Sequence, residues 1–418
     1  MTELPKGWRE VALRDEAQIV SGATPKTNVA EYWGGDIAWL TPDDLSKNRN
    51  KVVASGARFI TEAGYQSCST RVVPKGSVLF TSRAPIGYVA IAGGDICTNQ
   101  GFKSAIPSSG LNSEFLFYQL QFATPEIKSR ASGTTFLEIN AKGFSATPIV
   151  LPPLAEQERI VEILEEQFSR LDSTLANVRA VREKAQAFRR SLLYAAFGGV
   201  LTTKDKKFEL KQLQELVVSR VDITDGPFGS NLKSSHYVAA GPRVVRLANI
   251  GSGIFVDAQA HITSEHFETL RKHEVIAGDV LVASLGEDIP RACIAPGFLG
   301  EAIVKADCIR IRPAPNVSPQ YLAFALNSPQ VRASALANIR GVTRPRINLG
   351  ALRSTTIPIP DFGEQQRIVA ILEEQFSRLD NVLEIAKRLE DRIASERRSL
   401  LHVAFVGELT AQWRATHV

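Results

Sequence analysis

One ten-residue stretch occurs twice in this chain. Ile163-Leu164-Glu165-Glu166-Gln167-Phe168-Ser169-Arg170-Leu171-Asp172 returns letter for letter at 371–380, an offset of 208 residues. The match continues around it without a gap. Glu156-Gln157 returns as Glu364-Gln365, Arg159-Ile160-Val161 as Arg367-Ile368-Val369, and Arg189-Arg190-Ser191-Leu192-Leu193 at 397–401. Phe197, Gly199, Leu201 and Thr202 return as Phe405, Gly407, Leu409 and Thr410. This is a duplication, so the fold must place two copies of one element.

Each copy reads as a single long helix. Apolar residues recur at Ile160, Leu164, Phe168, Leu171, Leu175, Val178, Val181, Ala185, Phe188 and Leu192, in steps of three and four. The second copy repeats the stripe from Ile368 through Leu372, Phe376, Leu379, Leu383, Ala386, Leu389 and Ile393 to Leu400. Such a stripe is a coiled-coil seam. No Pro or Gly interrupts either run. Pro152-Pro153 marks one entry; Asp361 with Glu364 three residues on marks the other, as in a capping box. Gly198-Gly199 and Gly407 mark the exits. About 40 residues give a helix of roughly 60 Å. A stripe of that length needs a partner, and the other copy is the nearest; a dimerisation helix is the alternative.

The repeats divide the chain into residues 1–150, 151–205, 206–358 and 359–418. Short β-like runs dominate the first segment: Ile37-Ala38-Trp39-Leu40, Ser77-Val78-Leu79-Phe80 and Tyr88-Val89-Ala90-Ile91, set apart by Gly- and Pro-bearing turns. One helix is expected at 113–121 and a second, short one at 125–130. The third segment repeats the plan with little identity: Gly278-Asp279-Val280-Leu281 answers Gly76-Ser77-Val78-Leu79, and a helix at 319–326 answers the one at 113–120. Equal mounts carrying unequal domains suit the reading of two different things at a fixed separation. The net charge of +5 leans towards an anionic partner. The start has no apolar signal segment and no run approaches a membrane span, so a cytoplasmic location is expected. Cys68, Cys97, Cys293 and Cys308 form no zinc or redox pattern, and reduced thiols are the default.

Six stretches carry a resemblance: Leu4-Pro5-Lys6-Gly7-Trp8, Leu151-Pro152-Pro153-Leu154-Ala155-Glu156-Gln157, Ile357-Pro358-Ile359-Pro360, the Arg-Ile-Val entry of each of the two helices, and Phe405-Val406-Gly407-Glu408-Leu409-Thr410-Ala411-Gln412-Trp413-Arg414. The whole chain resembles the specificity (S) subunit of type I restriction–modification systems. The resemblance implies an α+β fold. Two globular target recognition domains alternate with two long conserved helices, which pair as an antiparallel coiled coil in a pseudo-two-fold internal repeat. It also implies that each domain reads half of a split DNA sequence and that two modification subunits, with restriction subunits, dock on the chain. S-adenosylmethionine would then sit in the modification subunits, and ATP and Mg in the restriction subunits, leaving no cofactor in this chain.

The residues agree with a non-catalytic role. There is no Asn/Asp-Pro-Pro-aromatic methylation loop and no Gly-x-x-x-x-Gly-Lys-Ser/Thr phosphate loop. Gly251-Ser252-Gly253 lacks the remainder of a dinucleotide fingerprint and reads as a turn. His261, His266 and His273 lack companion metal ligands and read as solvated. For DNA contact, candidates are residues whose side chains suit base edges or phosphates, on small Gly-bearing loops. In the first domain these are Thr24 and Lys26, Ser82 and Arg83 after a strand, and Thr134 and Thr135. In the second they are Ser230, Asn231 and Lys233, Ser284 after a strand, and Thr343, Arg344 and Arg346 in an arginine cluster with Arg340 and Arg353. The formal charge is +2 over 1–150 and +5 over 206–358. Two other classes remain open: a single-chain DNA methyltransferase or nuclease, and a coiled-coil scaffold with no DNA role.

Overall fold

The computed structural model describes residues 4–48, 50–133, 137–202, 208–286, 288–337 and 345–417. The two duplicated stretches form helices Leu154–Phe197 and Phe362–Phe405, 44 residues each, or about 66 Å at 1.5 Å per residue. The chain condenses into two compact units, Met1–Val178 with Arg388–Val418, and Arg179–Lys387. Each long helix therefore gives one half to each unit.

The first unit holds β1 (Arg9–Ala12), β2 (Ala17–Ser21), β3 (Trp33–Leu40), β4 (Val52–Val53), β5 (Arg58–Ile60), β6 (Val78–Thr81), β7 (Val89–Ala92), β8 (Cys97–Thr98), β9 (Phe102–Pro107) and β10 (Pro148–Leu151). The second holds β11 (Glu209–Gln212), β12 (Ile223–Asp225), β13 (Tyr237–Val245), β14 (His261–Ile262), β15 (Glu274–Val275), β16 (Val280–Ala283), β17 (Arg291–Ile294), β18 (Ala302–Val304), β19 (Cys308–Ile311) and β20 (Thr356–Ile359). The sheets correspond. The order β2-β9-β6-β7 in one unit matches β12-β19-β16-β17 in the other, and β5-β3-β8 matches β14-β13-β18. The pairs β1–β10 and β11–β20 bring the two ends of each domain together at the foot of a long helix. β4 extends one sheet of the first unit and β15 one sheet of the second. The two domains thus share a topology that their letters barely show.

The helix expected in two pieces at 113–121 and 125–130 is one helix, Ser113–Ser129, with Pro125 inside it. Its buried face, which includes Phe115, Leu116, Leu120, Ala123 and Ile127, straddles the proline. Burying those side chains outweighs the hydrogen bond lost at Pro125. Its counterpart is Pro319–Asn327.

The mounting of each domain on its helix is the same. Phe115 meets Phe405 and Tyr118 meets Phe168, at centroid distances of 5.4 and 5.5 Å. In the second unit Tyr321 meets Phe197 and Phe324 meets Phe376, at 5.1 and 5.5 Å. At the start of each long helix the repeated Glu-Gln pair makes the joint. Gln157 accepts from the Asn112 N–H (2.8 Å) and donates to the Gly110 and Pro152 carbonyls (2.9 Å each), which fixes the N-terminus of Ser113–Ser129. Gln365 accepts from the Ser318 N–H (2.9 Å) and donates to the Asn316 and Pro360 carbonyls (3.3 and 3.1 Å). Glu156 is fully buried; it accepts from Trp8 Nε1 (3.0 Å), Thr410 Oγ1 (2.7 Å) and Arg414 Nε (2.9 Å). Glu364, equally enclosed, accepts from Thr202 Oγ1 and from Arg367 (3.2 Å).

The helices pair antiparallel within each unit. From Glu156 to Asp172 the partners run backwards, from Thr410 to Arg397; from Glu364 to Asp380 they run from Thr202 to Arg189. Arg397 ion-pairs with Asp172 at 2.7 Å and lies 4.7 Å over the Phe168 ring. Its repeat equivalent, Arg189, ion-pairs with Asp380 at 2.7 Å and lies 4.2 Å over Phe376. The expected seam holds from Ile160 to Val178 and again at Ala185, but Val181 between them and Phe188 beyond are about half exposed, at 48% and 49%. Towards its end the first helix also faces the core of the second unit, so its buried face there includes Leu193, Ala196 and Phe197.

Breaking the buried joint tests this account. Glu156→Ala leaves Arg414 and Trp8 without their acceptor and is expected to cost about 3–5 kcal/mol in urea unfolding. Glu364→Ala is expected to cost less, because Arg367 is solvent-exposed and rehydrates.

Candidate nucleic-acid interface

In each domain a small Gly-bearing loop lies against the protein's own backbone. A Cβ on Gly22 would sit 2.1 Å from the Asn99 carbonyl oxygen, and one on Gly226 would sit 2.1 Å from the Lys305 carbonyl carbon. Ala23 N–H donates to Thr98 O at 3.0 Å, and Gly226 N–H to Cys308 O at 3.2 Å. These glycines seat each loop on the sheet behind it. On the first loop Thr24 is half-buried and its hydroxyl bonds Gln100, while the Lys26 side chain is exposed. On the second, Gly229–Asn231 form one 3-10 turn that exposes Ser230 and Asn231, with Lys233 exposed beyond it.

The serines after the central strands have a different role from the one expected. Ser82 and Ser284 are buried, not presented at the surface. Ser82 N–H donates to Gly101 O (2.7 Å) and its carbonyl accepts from Ile139 N–H (3.0 Å). Ser284 N–H donates to Asp307 O (3.0 Å) and its carbonyl accepts from Ile347 N–H (2.8 Å). A small residue is needed there because a second loop closes over it. That second loop is where the domains part company. Glu138 precedes Ile139 and draws in Arg83 (3.4 Å) and Lys103 (3.7 Å). Burial lowers the Lys103 pKa, against the upward pull of the Glu138 carboxylate. The equivalent position holds Arg346, which ion-pairs with Asp307 (2.8 Å) and lies 5.2 Å over the Phe228 ring. Equivalent surface positions thus carry opposite charge.

Thr134, Thr135, Thr343 and Arg344, with Arg340, lie outside the described residues. Arg353 is half-buried, and its guanidinium donates to the carbonyls of Arg220 (3.0 Å) and Ile223 (2.6 Å). Sequence reasoning missed Phe228 and Lys305, which flank the second loop; Lys305 Nζ lies 5.5 Å over the Tyr237 ring. Phe228 directly precedes the Gly229–Asn231 turn in the chain, whereas no spacing signal links Lys305 to it, because the fold brings Lys305 there.

The three histidines are pinned to backbone. His261 and His266 meet the Gly241 and Asn231 carbonyls at 2.7 and 3.0 Å. His273 is buried rather than solvated, and its Nδ1 donates to Asp225 O at 2.6 Å. Among the described residues no cluster of three or more His, Cys, Asp or Glu is placed to hold a metal ion. Burial lowers the His273 pKa below 6.5, against the upward pull of that carbonyl. A depressed imidazole leaves stability unchanged above pH 6.5. Below it the unfolded chain takes up the proton that the folded one resists, so stability falls with pH. His273→Gln, which keeps a donor for Asp225, is expected to flatten that loss between pH 6.5 and about 5, read as the pH dependence of Tm.

Comparison with known proteins names the class. The chain matches the family profile described as type I restriction modification DNA specificity domain over residues 5–179 and again over 206–394. The chain belongs to this family of type I restriction–modification specificity subunits. It is 42% identical over 164 residues to the type I restriction enzyme MjaIX specificity subunit of Methanocaldococcus jannaschii, a match covering 39% of this chain and 38% of that one. It is 24% identical over 439 residues to the type I restriction enzyme EcoKI specificity subunit of Escherichia coli K12, covering 99% and 91%. A solved structure described as "Structural basis underlying complex assembly and conformational transition of the type I R-M system" superposes with a TM-score of 0.77 at 20% identity, covering 97% of this chain and 99% of that one. The HsdS subunit from Thermoanaerobacter tengcongensis superposes with a TM-score of 0.54 at 20% identity, covering 98% and 100%. These two likenesses bear on the fold. Among the described residues no helix is long and apolar enough to cross a membrane.

Proposed function

We propose that this chain is the non-catalytic specificity subunit of a DNA adenine methyltransferase and endonuclease complex. It reads a bipartite double-stranded target, with one half-site for the domain of 1–150 and the other for that of 206–358. Two modification subunits dock on it and bring S-adenosylmethionine; restriction subunits, with ATP and Mg, complete the assembly, and this chain holds no cofactor of its own. The observation that carries the reading is the pairing of identical joints with unlike surfaces. Gln157 and Gln365 mount two domains of one topology in the same way, whereas Glu138 and Arg346 give the equivalent loops opposite charge. A duplicated mount with diverged readers is what a split, asymmetric DNA sequence requires.

The test is made on the complex co-expressed with its modification subunits. Mapping of methylated adenines is expected to show a two-part motif, and exchange of residues 1–150 for another such domain is expected to change one half only. Both halves changing together, or methylation by this chain alone, would overturn the reading. A phosphate contact has its own signature. Lys233→Ala is expected to reduce the slope of log K against log salt by about 1 and to leave the preferred sequence intact.

A further inference from the structure

The three-stranded sheet β5-β3-β8 carries a feature that the DNA-reading role above does not use. β3 and β5 pair antiparallel with Trp39 opposite Arg58, and the register then slips between Trp33 and Ile37. The slip spans Gly34, Gly35 and Asp36, since Trp33 and Ile37 both face Ile60. Gly34 has φ +84°, and a Cβ on Gly35 would sit 2.6 Å from the Ile60 carbonyl oxygen. Such irregularities re-aim side chains, and Trp33 packs edge-on to Trp39 with ring centroids 5.0 Å apart. The Arg58 guanidinium carbon lies 3.4 Å from the centre of the Trp33 ring and 5.6 Å from that of Trp39. At 3.4 Å an N–H pointing down at the indole would put its nitrogen well inside van der Waals contact, so the guanidinium lies flat on the ring.

Three further observations concern what this arginine faces. Arg58 is exposed and makes no ion pair among the described residues. The nearby carboxylate is engaged elsewhere: Asp44 accepts from the N–H groups of Thr41 (2.7 Å) and Ala57 (2.9 Å) and from the Thr41 hydroxyl (2.6 Å). The same two tryptophans hold the candidate loop. Trp33 Nε1 donates to Lys26 O at 3.2 Å and Trp39 Nε1 to Ala23 O at 3.0 Å. Arg58 and the loop bearing Thr24 and Lys26 therefore share one aromatic support. A flat guanidinium keeps its in-plane N–H fork free, and its side chain is already ordered. That fork matches a pair of acceptors in one plane, the geometry of guanine O6 and N7 in the major groove.

We propose that Arg58, laid flat on Trp33, reads a guanine in the half-site recognised by the first domain. The inference rests on the proposed DNA-reading role, and the experiment separates the two. The complex of the whole chain with its modification subunits selects from a randomised duplex library, as wild type, Arg58→Lys and Arg58→Ala. Arg58 is exposed, so both variants are expected to melt with the wild type. The wild type is expected to enrich a two-part motif with a required guanine in one half. Arg58→Lys keeps the charge but loses the fork. It is expected to cut preference for that guanine roughly 5- to 150-fold, the range of one bidentate base contact, with the other half unchanged. Arg58→Ala is expected to do the same and bind more weakly. Uniform weakening across sequences, or an unaltered motif in Arg58→Lys, would overturn the assignment and leave the DNA-reading role standing. A wild-type complex that enriches no motif would sink both.

Discussion

The structure depends on a Glu-Gln dipeptide at the start of each long helix. Its two side chains face different clients. Glutamine fixes the N-terminus of the short helix on which each domain hangs, through Asn112 in one unit and Ser318 in the other. Glutamate clasps the segment that follows the opposite long helix, through Thr410 and Thr202. A buried carboxylate holds its place only if its partners satisfy it. Each clasp therefore ties the entry of one long helix to the exit of the other. The flanking letters differ, since Gly198 and Val200 stand where the second copy has Val406 and Glu408, yet Thr202 and Thr410 make the same bond.

Symmetry in the mounts permits asymmetry in the readers. The aromatic contacts of the two domains swap residue types, Phe115 for Tyr321 and Tyr118 for Phe324, without changing their positions. Volume and contact matter there more than identity. At the loop that closes over Ser82 or Ser284 the pressure is reversed. The backbone bonds are the same and the outward side chains carry opposite charge. A scaffold that over-determines the backbone leaves its surface free to vary, which suits recognition of unlike half-sites.

Much of the site was only partly legible in the letters. The Gly-bearing loops were recognisable as loops, but the close approach of Gly22 and Gly226 to the protein's own backbone depends on the partner strand. Ser82 and Ser284 look like surface hydroxyls after a strand; their burial follows from a loop more than 50 residues further on. Arg353 looks like part of a basic cluster, and only the path of the 220–223 segment shows that it holds carbonyls. Arg58 carries no motif at all. Its setting comes from a register slip that pairs it with Trp33, 25 positions away in the chain.

The sequence by itself determined the duplication, the two long helices and their caps, and the alternation of constant mounts with variable domains. Those are local or periodic properties, written in helical spacing, in Pro and Gly at the ends, and in exact repetition. Only the tertiary structure decided which stripe positions of the first helix stay exposed past Val178, that the two domains share one strand order, and which polar side chains are committed to the protein's own backbone. Strand register and long-range closure set those outcomes. They depend on pairings between residues far apart in the chain, which no local pattern encodes.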